Sequence, residues 1–398
     1  MGTLCCSVVR GKEVFSFDCD RKWLIHRQFR VLDPDLGQFA GAQYLRDEKS
    51  NFGLFLDSAP DRWGRMLIKR REVILARMEG RTPKPLFESD YLLGVYDGNR
   101  MGALRFKTVP NGPFVDHHKD LATPPWASLR DLEYACLQLE REEISDIPEY
   151  AKWLTMLVAP GSSLGGARPK ANIVDENGVI WIAKFPSTHD TKDVGAWEMV
   201  VNELAKNGGI NVAEAKAQRF LGKQHTFLSK RFDRTVAGER IHFASTMTML
   251  GKTDGADSAT GVSYLSIVEF ILKHCVDVDK NLEELWRRVV FNIAVSNCDD
   301  HLRNHGFLLT KQGWTLSPAY DVNPDEYGAG LKLNISEDDN SLDFDLAMSV
   351  APWFRLPKER ATSILLEIKR SVSNWHKTAS KYGIPKTEQM FMEPAFRH

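Results

Sequence analysis

The sequence predicts an α+β chain: a two-lobed core over residues 151–398, preceded by an α/β subdomain over residues 1–150. Three observations predict it. After residue 160 the order is glycine-rich loop, strand, hairpin, strand, helix and two strands, which makes a small β-rich lobe to about residue 245. From about 246 to 398 the apolar spacing turns helical, which makes a second, larger lobe. Within the amino-terminal part a stretch, 109–125, rich in Pro, Gly, Asp and His and without periodicity, reads as a surface connection, and after the helices that follow it the boundary falls near 150.

The elements follow in order. Residues 3–25 alternate and carry a Gly11-Lys12 turn, predicting a small antiparallel β start. From Asp61 to Met78 the spacing becomes helical: Trp63, Met66, Leu67, Ile74 and Met78 share a face, and Arg62, Arg65 and Lys69 line another. That basic stripe suits either a solvated helix face or a partner surface. Residues 91–107 read as a second short β unit around Asp97-Gly98, and 126–158 as two helices broken near Asp146-Ile147-Pro148. Strands are expected at 171–174 and 179–185, turning at 175–178. A helix at 193–207 is stopped by Gly208-Gly209, and strands follow at 216–221 and 225–231.

Composition bounds the function. The chain has 398 residues, 43% hydrophobic and 26% charged, as a folded multi-domain protein does. With 52 basic and 53 acidic side chains, formal net charge is -1, so nothing drives the whole chain toward nucleic acid or an anionic membrane. Cys5, Cys6, Cys19, Cys136, Cys275 and Cys298 form no CxxC pair and no zinc-ligand spacing, which predicts free thiols in a reducing compartment. The start departs from a myristoylation signal at Cys6 and lacks the features of a secretory signal. No apolar run reaches the ~20 residues of a membrane span. A soluble cytoplasmic protein without membrane contact is the expectation.

The chemistry concentrates in three places. Leu282, Leu285, Trp286, Val289, Val290, Ile293 and Ala294 keep helical spacing and run into Ser296-Asn297-Cys298-Asp299-Asp300-His301-Leu302-Arg303-Asn304. Polar side chains beside a core are costly unless paired or solvated. A second acid, Asp321, follows the apolar-aromatic Leu316-Ser317-Pro318-Ala319-Tyr320. Each Asp or Asn alone would pass for a cap or turn former. Together, Asp299, Asn304 and Asp321 supply, in order, the carboxylate that orients an incoming hydroxyl and the Asn and Asp that hold Mg²⁺ in phosphoryl transfer. Magnesium takes oxygen ligands from few side chains, which suits Asn304 and Asp321.

The second place is the loop Gly161-Ser162-Ser163-Leu164-Gly165-Gly166-Ala167-Arg168-Pro169-Lys170. Its glycines let backbone N–H groups approach phosphates and its basic residues add charge, though it lacks Walker A spacing and could equally be a surface turn. The third is Lys184. Alternation puts it on the face of Ile182, where an ammonium needs a phosphate or a carboxylate, and Glu198 on the next helix is the natural partner; a snorkelling strand-end lysine is the plain alternative.

These pieces together resemble the HipA family of bacterial serine/threonine kinases, toxins of toxin–antitoxin pairs. The landmarks are Ser163-x-x-Gly-x-x-x-Lys170, Ile-Ala-Lys184-Phe-Pro, Lys230-Arg-Phe-Asp-Arg234, Asp299-x-His301-x-Arg303-Asn304 and Pro-Ala-Tyr-Asp321-Val. Leu32-Asp33-Pro34-Asp35-Leu36 and Asp57-Ser-Ala-Pro-Asp-Arg-Trp-Gly-Arg65 extend the likeness through the amino-terminal half. The Asp-x-His-x-x-Asn signature is also similar to that of phosphatidylinositol-type lipid kinases. The resemblance implies a protein-kinase-like fold, with ATP and Mg²⁺ as cofactors. It implies Asp299 as catalytic carboxylate and Asn304 and Asp321 as metal ligands. Lys184, oriented by Glu198, would grip the phosphates, with Ser162, Ser163, Gly165, Gly166, Lys170 and His301 also at the nucleotide. Ser163 would be self-phosphorylated, with Ser162 beside it as an alternative acceptor.

The partners it implies are a protein substrate of the aminoacyl-tRNA synthetase class and a small DNA-binding antitoxin of HipB type. Nucleic acid would be met only through that antitoxin. Two other functions fit the same residues: a kinase for a small molecule or lipid, and a catalytically silent nucleotide-binding corepressor partner of the antitoxin. Departures are Arg303, where many members have Lys, and Arg168-Pro169 in place of a common Gln-Glu. Residues 241–245 also lack a common acidic segment.

Overall fold

The amino-terminal hairpin forms as its turn residues dictate. In the computed structural model β1 (Gly2–Val9) pairs antiparallel with β2 (Lys12–Cys19) residue for residue, from Val9 opposite Lys12 to Gly2 opposite Cys19. The turn sits one residue earlier than expected: Arg10 and Gly11, with φ of 51° and 77°, supply the two positive values that a two-residue hairpin turn needs, and Lys12 already belongs to β2. β3 (Ala42–Tyr44) adds to the far side of β2. The structure describes all residues except 26–30, 46–48, 116–122, 142–147 and 159–167. Contacts divide the chain into two units, one of Met1–Ala183 with Asp233–Thr253, the other of Lys184–Phe232 with Asp254–His398.

In the first unit α1 (Arg62–Met78) starts at Asp61, whose carboxylate accepts the Gly64 N–H at 2.8 Å. Its expected apolar face is buried at Trp63 and Leu67, while Met78 at the far end is exposed. α2 (Leu129–Arg141) and α3 (Pro148–Val158) are the expected helix pair, and the expected break at 146–148 lies mostly outside the described residues. β4 (Lys170–Val174) and β5 (Ile180–Lys184) follow as neighbouring strands, with Gly178 at φ 76° in the turn between them.

The expected β unit at 91–107 is not there: the described structure has a helix, Glu88–Leu93, and a single 3-10 turn, Asp97–Asn99. Side chains have taken the polar groups that a ladder would use. Buried Arg100 donates to the carbonyls of Ser58, Leu92 and Val95 at 2.9, 2.8 and 3.1 Å. Asp97 pairs with Arg105 at 2.6 Å and with Arg240 at 3.0 Å. The Arg-Phe-Asp-Arg landmark completes this anchor, since Asp233 accepts the Gly102 N–H at 2.7 Å and Arg234 donates to the Arg100 carbonyl at 2.9 Å. Gly102, at φ 73°, has room for nothing larger: a Cβ would sit 2.9 Å from the Phe243 nitrogen.

The second unit is built on two helices. α4 (Val194–Asn207) ends at Gly208 with the Gly209 N–H bound to the Lys206 carbonyl and the Ile210 N–H to that of Ala205, Gly209 having φ 81°. This is the αL cap that Gly208-Gly209 predicts. β6 (Ala215–Gln218) and β7 (Thr226–Lys230) form an antiparallel pair, Ala215 opposite Ser229. α5 (Tyr264–His274) precedes α6 (Val278–Ala294), whose eight apolar positions from Leu282 to Ala294 are all at most 1% exposed. β8 (Gly306–Leu309) and β9 (Trp314–Leu316) make a short antiparallel pair between the end of α6 and Asp321. α7 (Phe344–Val350), α8 (Lys358–Val372), α9 (Trp375–Lys381) and α10 (Lys386–Met392) complete the unit. Among the described residues no helix is long and apolar enough to cross a membrane.

Candidate active site

Lys184 is the last residue of β5, and the next helix and a distant loop both send it a carboxylate. Its Nζ lies 2.6 Å from Glu198 Oε1 and 2.7 Å from Asp321 Oδ1. Glu198 reaches it because α4 buries that face, leaving the Glu198 side chain 5% exposed against 14% for Lys184. Burial alone would push the ammonium toward neutrality. Asp321 and Glu198 overrule it and hold the Lys184 pKa above the ordinary lysine value. Residues 137 apart in sequence therefore meet in one ion-paired cluster.

The polar run after α6 is sorted by environment. Asp299 is exposed, while its neighbour Asp300 is buried. Asp300 Oδ2 accepts from Tyr264 Oη at 2.5 Å and from Asn292 Nδ2 at 2.7 Å, and His305 Nε2 lies at 2.7 Å. Burial would raise the Asp300 pKa, but His305 and the other donors hold it below the usual carboxylate range. Asp300 thus fastens α5, α6 and the loop together, and Asp299 is left facing solvent on a turn whose shape Asp300 sets. Asn304 donates its Nδ2 to the Asp299 carbonyl at 2.9 Å, which fixes the amide so that Oδ1 is its remaining donor atom toward a cation.

Asp321 stands in the left-handed region, φ 57°, a strained conformation for a residue with a Cβ. Asn323 Nδ2 donates to Asp321 Oδ1 at 3.1 Å, while the Asn323 N–H meets Asn297 Oδ1 at 3.2 Å. Asn297 in turn donates to Asn292 at 3.0 Å, which donates to Asp300. A continuous chain of hydrogen bonds thus joins the Asp321 loop to the Asp299 loop. Tyr320 adds a second link through its hydroxyl to the Arg303 carbonyl, 2.6 Å. Asn304 and the residues on either side of Asp321, Tyr320 and Val322, line one small cavity.

Of the residues expected at the site, Lys184, Glu198 and Asp321 are in direct contact, and Asp299 and Asn304 share the loop hydrogen-bonded to Asp321's own. His301 lies on that loop, partly exposed, and its Nδ1 has no hydrogen-bond partner among the described residues. Lys170 belongs to the first unit, where it is buried against Asp61 at 3.0 Å. Ser162, Ser163, Gly165 and Gly166 lie outside the described residues. The sequence reading gave no role to Asp300, Tyr264, Asn292, Asn297 or Asn323. Asn297 and Asp300 stood in the polar run already singled out; the others carry no local signal.

A loop that meets a strand lysine beside its helix glutamate, and is hydrogen-bonded to a second polar loop, bears comparison with known proteins. The HipA-like C-terminal domain family matches residues 162–375, more than half of the chain. The chain belongs to this HipA-like family. A Shewanella oneidensis protein named serine/threonine-protein kinase toxin HipA is 26% identical over 263 residues, 58% of this chain and 59% of that protein. A Haemophilus influenzae protein whose name marks it as a candidate kinase is 29% identical over 180 residues, 40% of this chain and 52% of that one. The chain thus spans between about half and three fifths of the curated relatives it matches. Among solved structures, a chain from the S. oneidensis HipA, HipB and operator DNA complex superposes with TM-score 0.68 at 19% identity, covering 99% of this chain and 92% of that one. The α+β, kinase-like HipA fold expected from the sequence is the fold of this chain. All five site residues, from Lys184 to Asp321, fall inside the matched HipA-like domain.

Proposed function

We propose that this HipA-like chain is an ATP-dependent serine/threonine protein kinase that acts as the toxin of a HipA/HipB-type pair in the cytoplasm. The observation that carries the reading is the Lys184 ammonium held between Glu198 and Asp321. Phosphoryl transfer is mostly positioning and charge stabilisation, and kinases use a strand lysine paired to a helix glutamate for it. Here Lys184 stays cationic at any physiological pH, so it can hold nucleotide phosphates, while Glu198 keeps its Nζ in place. Asp299, exposed and with its backbone fixed by Asp300 and Asn304, orients the substrate hydroxyl and receives its proton as the oxygen attacks phosphorus.

The donor set fits magnesium. Among the described residues no three His, Cys, Asp or Glu side chains gather as a metal cage. Magnesium needs no such cage, because it binds through one or two protein oxygens plus water and phosphate. The Asn304 amide oxygen and the Asp321 carboxylate would hold it. Bound there, the ion would neutralise charge on the transferring phosphates. Residues 151–398 form the catalytic domain in this reading and 1–150 the amino-terminal subdomain.

The finer expectations belong to the same proposal. Ser163, or Ser162 beside it, would take a phosphate from the chain's own ATP; with about two negative charges, that phosphate could not share a loop shaped around ATP phosphates. The solved relative comes from a complex with HipB and operator DNA, which supports a HipB-type antitoxin as partner. An aminoacyl-tRNA synthetase is the proposed class of substrate. The test incubates purified chain with γ-labelled ATP, Mg²⁺ and bacterial lysate, and maps modified residues by mass spectrometry. Labelled serine or threonine, lost in Asp299→Asn, is the expected outcome; label unchanged in that variant, or consumption of ATP on a metabolite alone, would refute the reading.

A further inference from the structure

Glu198 can orient Lys184 only if α4 itself is held still, and a second carboxylate, far along the chain, does the holding. Glu388, on α10, accepts two hydrogen bonds on one oxygen: the backbone N–H of Asp193 at 3.0 Å and the indole Nε1–H of Trp197 at 2.7 Å. Asp193 is the cap of α4, its own carboxylate accepting the Ala196 N–H at 3.1 Å. Trp197 is the residue before Glu198. Glu388 therefore grips the helix at its first turn, where a negative charge is favoured by the helix dipole, one residue from the glutamate that contacts Lys184.

The grip is reinforced by packing. Trp197 is 1% exposed and packs on Trp375 and Phe396, with ring centroids 6.1 and 5.8 Å away, while Trp375 and Phe396 stack on each other at 4.4 Å. The residue after Phe396, Arg397, donates its backbone N–H to the Ala294 carbonyl at 2.7 Å and its Nε to Ser296 Oγ at 3.3 Å. Ala294 is the last residue of α6, and Ser296 opens the loop that bears Asp299. One stretch, 375–397, is thus fastened both to the helix of Glu198 and to the root of the Asp299 loop.

We infer that Glu388 is a positioning residue for phosphoryl transfer: by holding Asp193 and Trp197 it fixes α4 so that Glu198 meets Lys184, and the stretch around it ties that helix to the catalytic loop. The inference rests on the kinase reading for its rate effect but not for its structural effect, and the experiment separates the two. Glu388→Ala removes the acceptor, whereas Glu388→Gln keeps an oxygen in the same place.

In Glu388→Ala, kcat falls about tenfold and the KM for ATP changes by less than about twofold, because orientation rather than binding is lost. Glu388→Gln recovers most of the rate. Hydrogen exchange at residues 194–200 quickens in Glu388→Ala and not in Glu388→Gln. Trp197→Phe, which removes one donor and keeps an aromatic ring, gives a smaller effect of the same sign and serves if Glu388→Ala does not fold. A folded Glu388→Ala or Trp197→Phe with wild-type kcat and wild-type exchange overturns the inference. A wild-type chain that transfers no phosphate sinks the kinase reading instead, and exchange at 194–200 still decides whether Glu388 holds the helix.

Discussion

Replacing Lys184 by Met removes a cation that lies between two carboxylates. Breaking a buried ion pair from one side costs about 3–5 kcal/mol, because the remaining charge is left without compensation. The Glu198 side chain is 5% exposed but Asp321 is 28% exposed and can be solvated, so the cost lies at the lower end, about 3 kcal/mol. In a unit of this size that lowers the melting temperature by about 6–12 °C. Lys184's folded pKa is raised, so its contribution is complete below the ordinary lysine pKa and fades only as pH rises above it. Melting curves of wild type, Lys184→Met, Glu198→Gln and the double variant, from pH 4 to 8, test this. The double variant should be more stable than the sum of the single losses predicts, by about 1–3 kcal/mol. Additive losses, or a Lys184→Met melt within about 1 °C of wild type, would refute the reasoning.

Other expectations follow from the same geometry. Asp299→Asn should lower phosphoryl transfer by about 10²–10⁴-fold and leave the melting temperature nearly unchanged, since Asp299 is exposed; kinetics and calorimetry on one sample check both. Asp300→Asn should do the reverse in stability, costing about 2–4 kcal/mol because three donors converge on the lost charge, as urea denaturation will show. With the Asp300 pKa depressed in the folded state, the wild type should lose that stabilisation as pH falls through the folded value, and Asp300→Asn should lack this part of the acid transition. Gly195→Ala should destabilise despite alanine's better helix propensity of about 1 kcal/mol, because the new Cβ would stand 2.1 Å from the His225 carbonyl oxygen. Thermal melting decides the sign.

Much of the fold could be read locally. The hairpin turn at Gly11 (found one residue earlier than expected, at Arg10-Gly11), the Asp61 cap, the buried stripe of α6 and the Gly209 stop on α4 are all set by residues within a few positions of one another, where periodicity and cap chemistry act. The 91–107 segment misled because its outcome depends on Arg240, more than a hundred residues later, taking Asp97. The site divides the same way. Asp299, Asn304, Asp321, Lys184 and Glu198 announced themselves as polar groups beside apolar runs. The groups that hold them did not: Tyr264 reaches Asp300 across 36 positions and Glu388 reaches Trp197 across 191. No spacing rule connects such pairs, since only tertiary packing brings them together.

In the proposed kinase, Asn304 and Asp321 would hold one magnesium ion, with Lys184 beside the phosphates. The most direct measurement is a crystal structure of the chain with Mg²⁺ and a non-hydrolysable ATP analogue. The expected result is an ion about 2.1 Å from the Asn304 amide oxygen and from an Asp321 carboxylate oxygen, with a nucleotide phosphate against Lys184 Nζ. Nucleotide bound elsewhere, or an ion touching neither residue, would contradict it.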